Sequence, residues 1–136
     1  MRTNTSISMW MLAALTAALG CGGAKTDPEQ AFRALRASLG EPVSSQQTSE
    51  AHSRAVERVV EDALLSDMTR SQVSNAIGEG DTCARHPKCA ELGFESDDWF
   101  YDVGIMGDAP APIPLLIVGF DHSGRVANVW YMRTHE

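Results

Sequence analysis

Apolar positions along this chain change their period twice. They run from Met9 to Leu19 with Thr16 the one polar residue among them, recur at helical spacing from Ala31 to Ile77, and then alternate or cluster in short blocks from Trp99 onward. The helical spacing resolves into three segments. Asp27-Pro28-Glu29 has the layout of a helix start, with a capping Asp, Pro at the first helical position and acid in the first turn. Ala31, Phe32, Leu35 and Leu39 follow at helical intervals and Gly40 with Pro42 stops the run, which predicts a helix over 28–39. Glu41 to Ser49, rich in Ser and Gln, reads as a linker. A second helix is expected over 50–66, capped by Ser49. Ala55, Val56, Val59, Val60, Ala63 and Leu64 form its apolar stripe, and Arg54, Glu57, Arg58, Glu61 and Asp62 its solvated face. Thr69 and Gln72 stand at capping-box spacing before Val73, Ala76 and Ile77, and Gly78 closes this third helix. Only Ser66-Asp67-Met68 separates the second and third helices, so they must turn sharply against each other.

The later part predicts three strands, over 98–105, 115–120 and 126–133. The first alternates, with Trp99, Tyr101, Val103 and Ile105 on one side and Phe100 and Asp102 on the other. The second is apolar on both faces. A Pro-rich connection over 107–114 joins these two, and Asp121-His122-Ser123-Gly124 forms a tight turn between the second and third. There is no internal repeat.

The first apolar run changes the picture of where the chain works. A polar start with Arg2, about eleven apolar residues and small residues before Cys21 make a secretory leader, too short to span a bilayer, which needs roughly twenty. Ala18-Leu19-Gly20-Cys21 resembles the lipobox of bacterial lipoproteins, in which cleavage precedes a cysteine that carries a diacylglyceryl group. An ordinary signal peptide cut near Gly20 or Ala24 is the plainer alternative. Gly22, Gly23 and Ala24 form a flexible tether, and from Gly22 to Thr26 it reaches at most about 18 Å at roughly 3.5 Å per residue. Each acyl methylene adds about 0.8 kcal/mol, so two or three chains on Cys21 would hold the domain at the membrane surface. Gly22 stands where enterobacterial lipoproteins kept in the inner membrane carry Asp. That resemblance implies the outer membrane, periplasmic face.

Without the leader about 115 residues remain, enough for one core. They hold ten of the eleven Lys and Arg and all 18 acids, a net charge of −8, which argues against nucleic acid as a partner. In an oxidising compartment Cys83 and Cys89, with five residues between them including Pro87, read first as a disulfide. A metal site from Cys83, His86 and Cys89 lacks an obvious fourth ligand, and two free thiols are a third reading.

No Ser-His-Asp order, phosphate loop or metal-type His pair is visible. No enzyme activity, cofactor or metal is expected. Glu95, Asp97, Asp98 and Asp102 could hold calcium through oxygen, but such a run is more often a solvated loop. His52, His86, His122 and His135 share no sequence neighbourhood. Trp130 and Tyr131 necessarily point to opposite faces of their strand. One of them therefore lies off the helix-covered side, and the second apolar face of the second and third strands is a candidate docking surface for a protein or the lipid interface.

The run Leu65 to Val73 with Ile77-Gly78 resembles the "G-M-T-x-x-x-V…L-G" signature of the SmpA/OmlA (BamE-like) family of small outer-membrane lipoproteins. Trp99 and Tyr101 resemble its W-x-Y strand, and Leu116 to Val126 its hairpin of a hydrophobic strand followed by F-D-x-x-G-x-V. The resemblance spans Leu65 to Met132. Asp67 replaces the family's Gly before Met68-Thr69, Glu79-Gly80-Asp81 stands where a Pro is common, and the first helix and cysteine loop are additions. The resemblance implies an α+β fold shared with the β-lactamase inhibitor protein: two helices, plus the extra N-terminal helix, packed on a three-stranded antiparallel sheet. The divisions are then a leader over 1–20, a lipidated tether over 21–27, the extra helix and linker over 28–49, and the family-like domain over 50–136. The implied function is that of a non-catalytic, lipid-anchored accessory protein supporting outer-membrane β-barrel assembly through contacts with a protein partner. A periplasmic binding or inhibitory module of the same fold is the alternative.

Overall fold

The computed structural model describes residues 25–103 and 115–132. The leader, Cys21, Ile105, the Pro-rich connection and the last four residues lie outside them. The order of elements is α1 (Pro28–Gly40), α2 (Gln46–Glu61), α3 (Arg70–Ile77), β1 (Asp81–Thr82), a 3-10 turn (Cys83–Arg85), α4 (Pro87–Glu91), β2 (Trp99–Asp102), β3 (Leu115–Phe120) and β4 (Val126–Met132).

The described residues form four α-helices and a four-stranded antiparallel sheet in the order β1-β2-β3-β4. This corrects the expected three helices on three strands. The additional strand is two residues long, and its Asp81 and Thr82 pair with Phe100 and Trp99. Two polar residues carry no alternation, so backbone pairing alone makes this strand. The additional helix, α4, has five residues and lies inside the cysteine loop.

Helix α1 starts as its sequence dictates, with the Asp27 carboxylate accepting from the Glu29 N–H at 3.2 Å. Helix α2 begins earlier than expected. Ser45, not Ser49, caps it by accepting from the Thr48 N–H at 3.2 Å, so the second half of the expected linker is helical. It also ends earlier, at Glu61. Ala63 adopts φ +50°, and Leu64 N–H bonds Val59 C=O at 3.1 Å. That is the geometry of a Schellman cap with alanine where glycine usually stands, so no stop signal is written there. In α3 both capping-box bonds form: Gln72 N–H to Thr69 Oγ1 at 3.2 Å and Thr69 N–H to Gln72 Oε1 at 2.8 Å.

The sheet has two apolar faces, and each is covered by different material. One face packs Trp99, Tyr101, Leu116, Val118 and Val126 against Ala31 and Leu35 of α1, Val56 and Val59 of α2, and Val73 and Ile77 of α3. The Tyr101 hydroxyl donates to Gly78 C=O at 2.8 Å, and burial pushes its pKa up. The other face presents Phe100, Leu115 and Ile117, covered by Cys83 and Cys89 with Phe94 and Met132 at the margin. Leu116 and Ile117 are both fully buried although they point in opposite directions, as a strand apolar on both faces requires.

Candidate functional site

The sheet face opposite α1–α3 is covered by the cysteine loop, which leaves only its margin open to solvent. Cys83 and Cys89 form a disulfide with Cα atoms 5.3 Å apart. Backbone bonds tie the loop to the sheet: Cys83 N–H to Asp98 C=O at 2.8 Å and Ala84 N–H to Ser96 C=O at 2.9 Å. Both sulfur-bearing residues are buried against Phe100 and Ile117. The expected open docking surface on strands β3 and β4 is therefore largely filled by the chain's own loop. Leu115 and Ile117 need apolar cover, and a disulfide-closed loop supplies it at lower entropy cost than an open one.

What remains exposed is the margin. Trp130 is 37% exposed and Leu92 49%. The Phe94 ring meets the Trp130 ring at 4.9 Å between centroids and 60° between planes. A β-carbon at Gly119 would stand 2.7 Å from the Trp130 ring, so the indole lies across a position that only glycine leaves open. Tyr131, the other candidate, is on the helix side. Its hydroxyl lies 3.0 Å from the Ser53 hydroxyl and its ring packs on the helix-covered core. Of the two aromatic candidates only Trp130 belongs to the free face, and register decides it: Ile117 pairs with Trp130, Leu116 with Tyr131.

Phe94 and Leu92 were not singled out by sequence. The signal was Leu92-Gly93-Phe94, two large apolar residues between Glu91 and Glu95, outside any predicted element; Gly93 has φ +82° and turns the chain between them.

Two members of the acidic run, Asp97 and Asp98, are committed to structure. Asp98 is buried, and its carboxylate accepts from the Glu95 N–H at 3.0 Å and the Phe120 N–H at 3.2 Å. Asp97 pairs with Arg70 at 3.2 Å. The Arg70 guanidinium lies 3.9 Å from the Phe120 ring centroid and 5.5 Å from that of Trp99, a stacked cation that fastens this loop to the start of α3. No group of three His, Cys, Asp or Glu converges among the described residues.

The histidines are apart. His52 is buried in α2, with Nδ1 3.3 Å from Val103 C=O and Nε2 without a hydrogen-bond partner among the described residues. The His86 ring packs edge-on against Phe100 at 4.6 Å. His122 is exposed in the β3–β4 turn and His135 lies outside the described residues. In that turn Asp121 Oδ1 accepts from Ser123 N–H, Ser123 Oγ–H and Arg125 N–H at 2.8, 2.6 and 3.0 Å. These bonds, the Ser123 hydroxyl first, hold the Asp121 carboxyl below its ordinary value.

A groove of about 490 Å³ runs between α1 and α3, lined by Phe32, Arg33, Met68, Gln72 and Ala76 among others. Arg36 crosses one end, donating to Ser74 and Asn75 C=O at 3.3 and 2.7 Å. It closes the C-terminal carbonyls of α3 and offers no nucleophile or acid-base pair.

Comparison with protein-family models, with curated proteins and with solved structures finds no match for this chain. Among the described residues no helix is long and apolar enough to cross a membrane.

Proposed function

We propose that this chain is a non-catalytic, lipid-anchored accessory protein, held at the periplasmic face of the outer membrane through Cys21, that binds a protein partner in β-barrel assembly. The observation that carries the partner-binding part is the exposure of Leu92 and of Trp130, the latter packed on the half-buried Phe94, beside a buried disulfide. Aromatic and aliphatic groups fixed on a rigid base lose little entropy on binding and are the residue types that dominate protein interfaces. The anchor rests on the lipobox-like Ala18-Leu19-Gly20-Cys21 and the short Gly22-Gly23-Ala24 tether. The assembly role rests on the SmpA/OmlA-like order of motifs in a chain that carries a helix pair, the Thr69 capping box and the β3–β4 hairpin in that sequence.

Intact mass and membrane fractionation of wild type and Cys21→Ala test the anchor. Wild type should carry lipid mass and pellet with outer membrane, and Cys21→Ala should be unlipidated and released. An unlipidated wild type removes the anchor. Site-directed crosslinking from Leu92 in intact cells tests the role, which fails if no assembly component is captured. The second reading, a periplasmic binding or inhibitory module, is favoured by one feature: the disulfide-closed Cys83–Cys89 loop, whose helix α4 leads into the exposed Leu92.

A further inference from the structure

The two edges of the sheet are closed to different degrees. At one end β1 is two residues long and runs straight into the disulfide loop, whose Cys83 and Ala84 N–H groups bond back to Asp98 and Ser96 C=O. At the other end β4 has seven residues, Val126–Met132, with no charge, proline or glycine among them. Short length, charged side chains and proline are the usual means by which an edge strand avoids pairing with other chains, and β4 has none of them. Its closure is confined to its first residue. Val126 N–H donates to Met68 C=O at 2.8 Å and Asp67 N–H donates to Val126 C=O at 3.2 Å, so the chain's own turn lies alongside the edge there and goes no further. The bulge is also at this end, and from Asn128 to Met132 the register with β3 is unbroken. Among the described residues no backbone hydrogen bond from Ala127, Asn128, Val129 or Trp130 leaves the β3–β4 ladder.

Beside that stretch lies a groove of about 190 Å³ between α2 and β4, lined by Val59, Val60, Ala63, Ser66, Ala127 and Val129 among others. Side chains alternate along a strand, so a chain laid on this edge would turn every second side chain to the helix side, in the row of Val129, and the others to the side of Trp130. The two features specify their occupant. An open row of backbone groups is satisfied by an extended main chain, and the groove by an aliphatic side chain. A second copy of this chain fits less well. Helix α2 packs on β4, with the Ser53 hydroxyl 3.0 Å from that of Tyr131. Antiparallel pairing of two β4 strands, about 4.8 Å apart, would bring both α2 helices to one face, where helix axes need about 8–10 Å, and both copies carry net negative charge.

We propose that the edge of β4 from Ala127 to Trp130 receives an extended segment of a partner protein as a fifth strand, with an aliphatic side chain of that segment seated in the α2–β4 groove. The proposal rests on the partner-binding reading above and gives that partner its backbone conformation. Main-chain bonds supply the affinity and the groove selects the side chain.

A fluorescein-labelled peptide, Gly-Thr-Val-Thr-Val-Thr-Gly, and two derivatives, one N-methylated at both Val and one at the last two Thr, are titrated against the full-length protein in a neutral detergent, with anisotropy read against protein-free micelles. In an extended chain the N–H groups of alternate residues point to opposite edges. One derivative should therefore bind at least about tenfold more weakly than the parent peptide while the other stays within about twofold. Ser66→Phe, at an exposed residue of the groove wall, should weaken the parent peptide at least about fivefold and leave thermal unfolding unchanged. Equal binding of the two derivatives, no binding of the parent, indifference to Ser66→Phe, or a dimer of this chain that excludes the peptide overturns the proposal. A crosslink from Leu92 to an assembly component without peptide binding would overturn this inference and leave the partner-binding reading standing; no crosslink and no peptide binding would remove both.

Discussion

The rings of Phe94 and Trp130 meet at 4.9 Å and 60°, joining a loop residue to the last strand across the free face of the sheet. The two residues are 36 positions apart in sequence, and the absence of a side chain at Gly119 beneath the indole helps them meet.

Removing Phe94 should therefore expose Trp130. Phe94→Ala is expected to lower stability by about 1–2 kcal/mol and to shift Trp130 emission to the red, while Trp99, buried under Arg70, keeps its emission. An unshifted spectrum would mean that the contact does not shield the indole.

The disulfide sets the cover of Leu115 and Ile117. Replacing Cys83 and Cys89 together by Ser should cost about 2–3 kcal/mol, as closing a short loop contributes, and should let a hydrophobic dye bind the uncovered face. Urea unfolding with and without reductant checks it, because the wild type with reductant should reproduce the double variant.

Ala63 holds a left-handed conformation at the end of α2. Such a backbone costs an L-residue about 1–2 kcal/mol, part of which glycine loses again in unfolded-chain entropy. Ala63→Gly should raise stability by about 0.5 kcal/mol, read in the denaturant midpoint at unchanged slope. A lower midpoint would refute the cap geometry.

Asp121 introduces pH dependence on the acid side. Its folded carboxyl lies below the ordinary 3.8 because Ser123 and Arg125 donate to the charged form. Its contribution is complete above the unfolded value and lost as pH falls through the lower, folded one. Asp121→Asn should flatten that part of the acid limb and leave the neutral range little changed in shape. A carboxyl titration by NMR that gives Asp121 an ordinary value would count against the three-donor turn.

Single elements were legible where the responsible residues are neighbours in sequence. Asp27-Pro28 starts α1, Thr69 with Gln72 caps α3, and Gly124 at φ +77° serves the β3–β4 turn, all as local spacing dictates. The ends of α2 were not legible, because Ser44, Ser45 and Ser49 are equally able caps and the stop is an alanine in a glycine's place. The site was half legible. That Trp130 and Tyr131 face opposite ways follows from the period of a strand, but the bulge between Gly119 and Phe120 shifts the register so that parity counted from the turn does not assign the faces.

By itself the sequence determined the starts of α1 and α3, the positions of β2, β3 and β4 and the acidic balance, and it favoured the pairing of Cys83 with Cys89, since each depends on residues close enough in the chain to interact through local geometry. Tertiary structure alone decided that a fourth strand forms at Asp81–Thr82, that the cysteine loop folds over Leu115 and Ile117, and that Trp130 rather than Tyr131 faces outward. Those outcomes depend on which distant backbone groups and apolar surfaces meet. Hydrogen-bond pairing and burial are satisfied only once the whole sheet is assembled.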